Sequence, residues 1–487
     1  MNTHFEQLFA RHGQRAALGM AGVGWSYQSL QRRVAAIAAQ LGQLGLQAGD
    51  RVGLHLSRSP DLLAALLACL RGGLCFVPLE PDFPAQRLQT IASEAQLTLV
   101  LHDQPPLSFC CPAQRLTSAE CAASPWPQQN DALPAYMMFT SGSTGTPKGV
   151  VISRRALTLF LQSVTERLAL DANCRWLFVT TAAFDISLLE MLGPLWVGGC
   201  VEIADASAYK DPLALAQRLR EQPGVSHLQA TPAFWRMLLK AGWQGHPQLT
   251  VLCGGEALDA TLAQQLRGRC ARLWNCYGPT EATIWSLLRQ VELPLAQGRV
   301  SIGGSLSGYR HWVLGEHGEP VSIGESGELC IESAALFDGY WQRSDLTAQA
   351  TQWHANNRLY RTGDRVRQLA EDEFEYLGRR DDQVKLRGFR IELGEVEAGL
   401  RRLAGVQDAA VRLQGSGESA CLVGYVELTA AGSLSRLAIR KALQQTLPHY
   451  MVPARILLLA ALPKTASGKL DRKALPLVAG AEPAVAD

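Results

Sequence analysis

The sequence predicts an α/β protein with one large and one small domain, on three observations. Near the N-terminus, apolar residues alternate between helical and strand-like spacing, the βαβ pattern of a parallel sheet flanked by helices. The length, 487 residues, exceeds what a single core usually organises. A charged run opened by glycine, Gly378–Asp382 (GRRDD), breaks the pattern late. The stretch beyond it carries its own strands and helices, enough for a small second domain. The expected division is residues 1–380 and 381–487.

Taken in order, Leu30, Val34, Ile37, Leu41 and Leu44 form one helical stripe ending near Gly45. Val52–Leu56 reads as a buried strand and Asp61–Leu70 as a helix closed by Gly72 and Gly73. Cys75–Leu79 is strand-like and is stopped by prolines. From Pro105 to Asp131 the composition lapses into a surface connection. Tyr136–Phe139 and Val150–Ile152 then read as strands, and Ser153–Arg167 as a helix. The tail Ala479–Asp487 has no core residues and is expected to fray.

Composition excludes several classes. Charged residues are 18% and the formal net charge is +2, so there is no nucleic-acid footprint and no acidic tail. The N-terminus lacks an apolar signal region, and Leu62–Leu70 is far short of the ~20 residues of a membrane span. The 12 cysteines are scattered without a C-x-x-C pair, which points to reduced, buried thiols rather than zinc ligands or disulfides. A soluble, cytoplasmic, monomeric protein is expected.

The segment Tyr136–Gly149, YMMFTSGSTGTPKG, carries the first chemistry. A strand end leads into hydroxyl- and glycine-rich residues and then a lysine. Such a turn brings N–H groups, hydroxyls and a mobile positive charge to the oxyanions of a polyphosphate. It is not a Walker loop, because Pro147 stands where the second glycine should be. FTSGSTGTPKG resembles the phosphate loop of the adenylate-forming superfamily, which includes acyl-CoA synthetases, luciferases and nonribosomal peptide synthetase adenylation domains. The resemblance implies the fold of that superfamily, with a mobile α+β C-terminal domain. It also implies ATP contacts from Thr140, Ser141, Gly142, Ser143, Thr144, Gly145 and Lys148, with Thr140 among the catalytic groups.

The other segments of the family follow in its order, from about Gly24 to Arg472. FDISLLE (Phe184–Glu190) places a carboxylate in an apolar run, where it needs a cation or serves as a helix cap. In the family, the residue matching Asp185 pairs with the α-ammonium of an amino acid. NCYGPTEATIW (Asn275–Trp285) resembles the segment that receives adenine and Mg²⁺. This assigns Asn275, Cys276, Tyr277, Gly278 and Thr280 to the nucleotide and Glu281 to the metal and catalysis. YRTGD (Tyr360–Asp364) supplies Asp364 for the ribose, with Arg379 beside it, and Asp381 matches the hinge residue. Arg380 and Asp382 read as surface ion-pair partners. In LPKTASGKLDR (Leu462–Arg472), Lys469 matches the lysine that contacts ATP and the substrate carboxylate as the adenylate forms. Two departures, Arg154 for histidine and Ser305 for proline, touch none of these roles.

By the same resemblance, the substrate pocket is lined by Asp185, Ile186, Leu189, Gln229, Leu252, Gly254 and Gly255, and by Cys276, Ile284, Trp285 and Lys469. Bulky Trp285, Leu189 and Ile284 are expected to fill the space of a side chain, and the set is similar to a glycine-type pocket. Cys276, smaller than the usual leucine, leaves room for alanine. The implied reaction joins glycine to AMP with release of pyrophosphate. The small domain then turns about Asp381 and presents the Gly388 loop to a phosphopantetheine thiol on a separate carrier protein. The product would serve peptide or siderophore assembly, or aminoacylation of an envelope component such as lipid A or teichoic acid. The competing readings are an acyl- or aryl-CoA ligase of the same superfamily and a non-catalytic scaffold.

Overall fold

The computed structural model describes the chain except residues 106, 120, 143–144, 206–210, 222–223, 296–298, 355, 416, 431, 466–468 and 479–487. Among the described residues, a seven-stranded sheet runs in the order Gly339–Tyr340, Lys148–Ser153, Pro134–Thr140, Cys75–Pro78, Arg51–His55, Leu99–His102, Ala113–Arg115. Its last five strands are parallel, and the hairpin Pro134–Ser153 is antiparallel. The segment expected to bind phosphate connects the two strands of that hairpin, Pro134–Thr140 and Lys148–Ser153.

A second sheet, of nine strands, has a parallel centre running from Cys270–Tyr277 through His246–Gly254, His227–Ala230, Arg175–Phe178 and Cys200–Ile203 to Ala16–Met20. One continuous core joins the two sheets through the helices Tyr27–Gln43, Pro60–Gly72, Arg154–Arg167 and Ile186–Trp196. The apolar run at Leu62–Leu70 is thus a core helix, buried on all sides. Proline opens that helix and Gly73, at φ +71°, closes it. Ser153 caps the helix that follows the loop, accepting from Ala156 N at 3.2 Å. Among the described residues, no helix is long and apolar enough to cross a membrane.

An antiparallel five-stranded sheet completes the large domain, ending in Asn357–Ala370 and Glu373–Arg379. Arg380 still donates its N–H to Gly363 O, at 2.9 Å. A new hairpin, Gln383–Leu386 with Phe389–Glu392, begins just beyond. The small domain then builds its own core from Ile391, Val396, Leu400, Val411, Val426 and Ile439 on a three-stranded sheet and two helices. Arg380 and Asp382 make ion pairs, with Glu328 at 3.3 Å and Arg472 at 3.1 Å. The tail Ala479–Asp487 lies outside the described residues.

Candidate active site

The strand Pro134–Thr140 delivers Thr140 and Ser141 to the edge of a cavity of about 100 Å³, and Asp185 enters it from the start of the helix Ile186–Trp196. Asp185 heads that helix, yet its side chain makes no capping hydrogen bond. Among the described residues, its Oδ2 and the Thr140 hydroxyl are buried without a hydrogen-bond partner. Burial pushes the Asp185 carboxyl up to about 6, although the Thr280 hydroxyl and the Ile186 N–H offset part of that rise. A buried carboxylate in this state gains most from an entering cation.

Trp285, Ile186 and Gly255 line the same cavity, whereas Leu189, Leu252 and Ile284 pack behind it in the core. Gln229 is fully buried and its amide is spent, with Nε2 donating to Ile186 O and Glu190 Oε1, and Oε1 accepting from the Trp285 indole. It therefore shapes the wall rather than facing a substrate. A side chain at Gly254 would meet the Trp285 ring and Cys276 O, each at 2.6 Å.

Tyr277 donates its hydroxyl to Asp364 Oδ2 at 2.5 Å, and Arg379 pairs with Asp364 Oδ1 at 2.8 Å. Arg379 also holds Asp381, so one guanidinium links the expected ribose carboxylate to the expected hinge. Asn275 donates to Ser301 O at 2.9 Å, and with Cys276, Tyr277 and Gly278 it lines a small recess of about 20 Å³. Lys385 stands over the Tyr277 ring, the ring expected to receive adenine, at 5.5 Å.

Glu281 is completely buried in the short turn Thr280–Ala282. Tyr340 donates to its Oε1 at 2.6 Å, and Arg390 pairs with its Oε2 at 2.7 Å. Burial pushes this carboxyl up, but Arg390, Lys148 and the Tyr340 hydroxyl outweigh it and hold it at about 2. Lys148 lies over the Tyr340 ring at 4.5 Å. Among the described residues, no three carboxylate, histidine or cysteine side chains converge as a metal cage. A single ionised carboxylate beside a phosphate loop fits Mg²⁺, which takes its remaining ligands from phosphate and water.

Residues 5–341 match the AMP-binding enzyme family, and residues 395–469 match its C-terminal domain. The chain belongs to the AMP-binding enzyme family. It is 37% identical over 491 residues to a dimodular nonribosomal peptide synthase of Bacillus subtilis (strain 168), covering 97% of this chain and 20% of that protein. The chain thus spans about a fifth to two fifths of the length of the curated relatives it first matches. Among solved structures it is similar to a four-domain nonribosomal peptide synthetase bound to AMP and glycine. That likeness has 37% identity and a TM-score of 0.73, and covers 98% of this chain and 36% of that one. A nonribosomal peptide synthetase protein with adenylation and PCP domains, bound to a vinylsulfonamide inhibitor, shares 27% identity at a TM-score of 0.84, covering 97% of this chain and 83% of that one. The α/β architecture, with large N-terminal and small C-terminal domains, is the adenylation fold of the adenylate-forming superfamily.

In this AMP-binding enzyme the small domain presents its Gly388 loop to the site. Gly388, at φ +83°, donates its N–H to Glu256 Oε1 at 2.6 Å. Phe389 stacks on Tyr450 at 3.7 Å and meets Phe184 edge-on. Lys469 is not brought to the cavities in this arrangement; it is exposed, beside the bridge between Lys464 and Leu470. Ser143 and Thr144 lie outside the described residues. Arg390, Glu395, Arg87, Lys385 and Tyr340 were not among the residues expected from sequence. Arg390 is the last residue of LRGFR (Leu386–Arg390), the segment of the Gly388 loop, which was the one signal pointing toward it.

Proposed function

We propose that the protein adenylates an amino acid with ATP and Mg²⁺, releasing pyrophosphate, and passes the aminoacyl group to a carrier phosphopantetheine thiol. Glycine is the proposed substrate. The observation that carries this reading is the unpartnered, buried Asp185 oxygen inside a cavity of about 100 Å³. An α-ammonium supplies the missing cation, and Trp285 leaves little space beyond it. The similar synthetase solved with AMP and glycine supports the same substrate class.

In this reading Asp364 and Arg379 hold the ribose, Tyr277 and Asn275 the base, and Thr140, Ser141, Gly142, Gly145 and Lys148 the phosphates. Glu281 holds Mg²⁺, which when bound neutralises charge developing on the phosphates. Lys469 enters from the small domain for this step, and the small domain, from residue 381, turns about Asp381 afterwards. The second cavity, of about 830 Å³, shares Phe184, Ile186, Gly388 and Tyr450 with the first and suits a pantetheine arm.

Amino-acid-dependent pyrophosphate release across the proteinogenic set tests the proposal. Glycine dependence that is lost in Asp185→Ala and Lys469→Ala is the expected result. Turnover with an acid lacking the amine, and with CoA as acceptor, would replace it with the CoA-ligase reading.

A further inference from the structure

We infer that Glu190 sets the amino acid selectivity of this enzyme from a distance, by fixing Trp285 through Gln229. Glu190 is completely buried and lines none of the three site cavities, so it acts on the substrate only through its neighbours. The inference rests on the glycine reading above and adds a positioning residue to it.

The contacts form one chain across three elements. Glu190 lies on the helix Ile186–Trp196, Gln229 on the strand His227–Ala230, and Trp285 just ahead of the strand Leu287–Gln290. Glu190 Oε2 accepts the N–H groups of Val179 and Thr180, at 2.8 and 3.0 Å. Its Oε1 accepts the Thr180 hydroxyl and, at 3.0 Å, Gln229 Nε2. The same Nε2 donates to Ile186 O at 2.9 Å, next to Asp185, while Gln229 Oε1 accepts the Trp285 indole N–H at 2.9 Å. All three side chains are buried, so solvent offers none of these groups another partner. Burial pushes the Glu190 carboxyl up to about 7 against the pull of its four donors, and at pH 8.5 it is ionised.

Only one polarity of this chain is chemically allowed. An ionised carboxylate accepts and never donates, and an indole N–H donates and never accepts. The amide between them must turn its nitrogen to Glu190 and its oxygen to Trp285. A neutral amide at position 190 would remove that constraint. Its oxygen would keep the N–H groups of Val179 and Thr180, and its nitrogen would then face Gln229 Nε2. Gln229 would have to reverse, setting its own nitrogen against the indole N–H and its oxygen against Ile186 O. Tying the helix to the strand end therefore needs one oxygen at position 190, whereas ordering the amide needs the carboxylate. A buried carboxylate is costly to keep, and here it secures a unique arrangement. The consequence falls on the pocket, because the Trp285 ring lines the cavity that Asp185 enters and stands 2.6 Å from a Cβ built on Gly254. An indole facing a second donor loses its anchor and gives way to a larger side chain.

The test is the ratio of kcat/KM for glycine to that for alanine, measured by pyrophosphate exchange with the full chain at pH 8.5. Glu190→Gln should lower this ratio about tenfold, with most of the change in KM. The exchange Glu190→Gln with Gln229→Glu should recover most of it, because position 229 again offers the indole an acceptor and position 190 donates to it. Trp285→Phe, which keeps a ring but has no N–H, should lower the ratio by itself, and adding Glu190→Gln should then change nothing more. Circular dichroism and urea unfolding establish which variants are folded. Should Glu190→Gln not fold, Glu190→Asp takes its place; it keeps the charge but shortens the reach, and should lower the ratio likewise. A folded variant at position 190 with the wild-type ratio overturns the inference. So does a fall that persists on the Trp285→Phe background or that the two-residue exchange leaves unrepaired. A wild type that favours another amino acid over glycine overturns the glycine reading instead. The same variants are then read on the ratio between that amino acid and its next larger homologue, so the two can fail independently.

Discussion

Trp285 donates its indole N–H to the Gln229 side-chain oxygen at 2.9 Å, and its ring lies where a side chain at residue 254 would stand, 2.6 Å from a Cβ built on Gly254. The bond fixes a large ring in the wall of the cavity that Asp185 enters, the proposed substrate site. Trp285→Ala should therefore widen acceptance to larger amino acids and lower turnover of glycine. It should also destabilise the protein by about 3–5 kcal/mol, because a fully buried ring is lost. Pyrophosphate exchange over a series of side-chain sizes, with urea unfolding, measures both. Unchanged selectivity would remove Trp285 from the pocket.

Asp185→Asn should raise stability while abolishing amino-acid-dependent turnover. Burial lifts the folded-state carboxyl from 3.8 to about 6, so ionised Asp185 opposes folding. The penalty is absent below about pH 4, grows between the two values, and is complete above about pH 6, on the order of 3 kcal/mol. Thermal unfolding at pH 7.5 and at pH 4 should show the gain only at the higher pH. In the wild type, amino acid affinity should fall as pH drops through about 6.

Glu281 behaves in the opposite sense. Its folded-state carboxyl is held at about 2, so its ion pair stabilises fully above the ordinary 4.5 and is lost only as pH falls toward 2. Mg²⁺-dependent turnover should show no titration of this group between pH 5 and 8. Glu281→Gln should cut adenylate formation by about 10²–10³-fold and flatten its Mg²⁺ dependence. A Mg²⁺ response like that of the wild type would remove Glu281 as the metal ligand.

Gly388→Ala should separate the two half-reactions. The residue sits at positive φ, and a Cβ there would collide with the Thr231 side chain, so the loop could not seat against Glu256. Transfer to a carrier thiol should slow by about a hundredfold, with adenylate formation close to normal. Single-turnover assays of each step decide it.

Lys469→Ala should do the reverse. The lysine is exposed and lines none of the three site cavities while the Gly388 loop is docked. Adenylate formation should fall by about 10²–10³-fold, and transfer from preformed aminoacyl-AMP should be unaffected. Equal loss in both steps would place Lys469 elsewhere in the cycle.

Much of this was legible from the chain. Spacing of apolar residues located the helix Tyr27–Gln43 and the strand Arg51–His55 to within a few residues, because side-chain period follows backbone geometry. The motif residues Asp185, Tyr277 and Asp364 do converge on adjoining cavities and one hydrogen bond, and Glu281 pairs with Arg390 of the same lining. Gln229 was legible as a pocket position but not as a spent amide, since its partners Ile186, Glu190 and Trp285 come from other elements.

The sequence by itself determined the elements, the family and the residue types available for chemistry, because these depend on local spacing and on contiguous motifs. Only the tertiary structure decided which charges meet. Glu395 reads locally as an acid in the first turn of a helix, and Arg87 as one more helix cation. They pair across 308 positions of chain, against a loop that neither adjoins in sequence. A buried charge is satisfied by whatever folding places within hydrogen-bonding distance, and no local pattern encodes that distance.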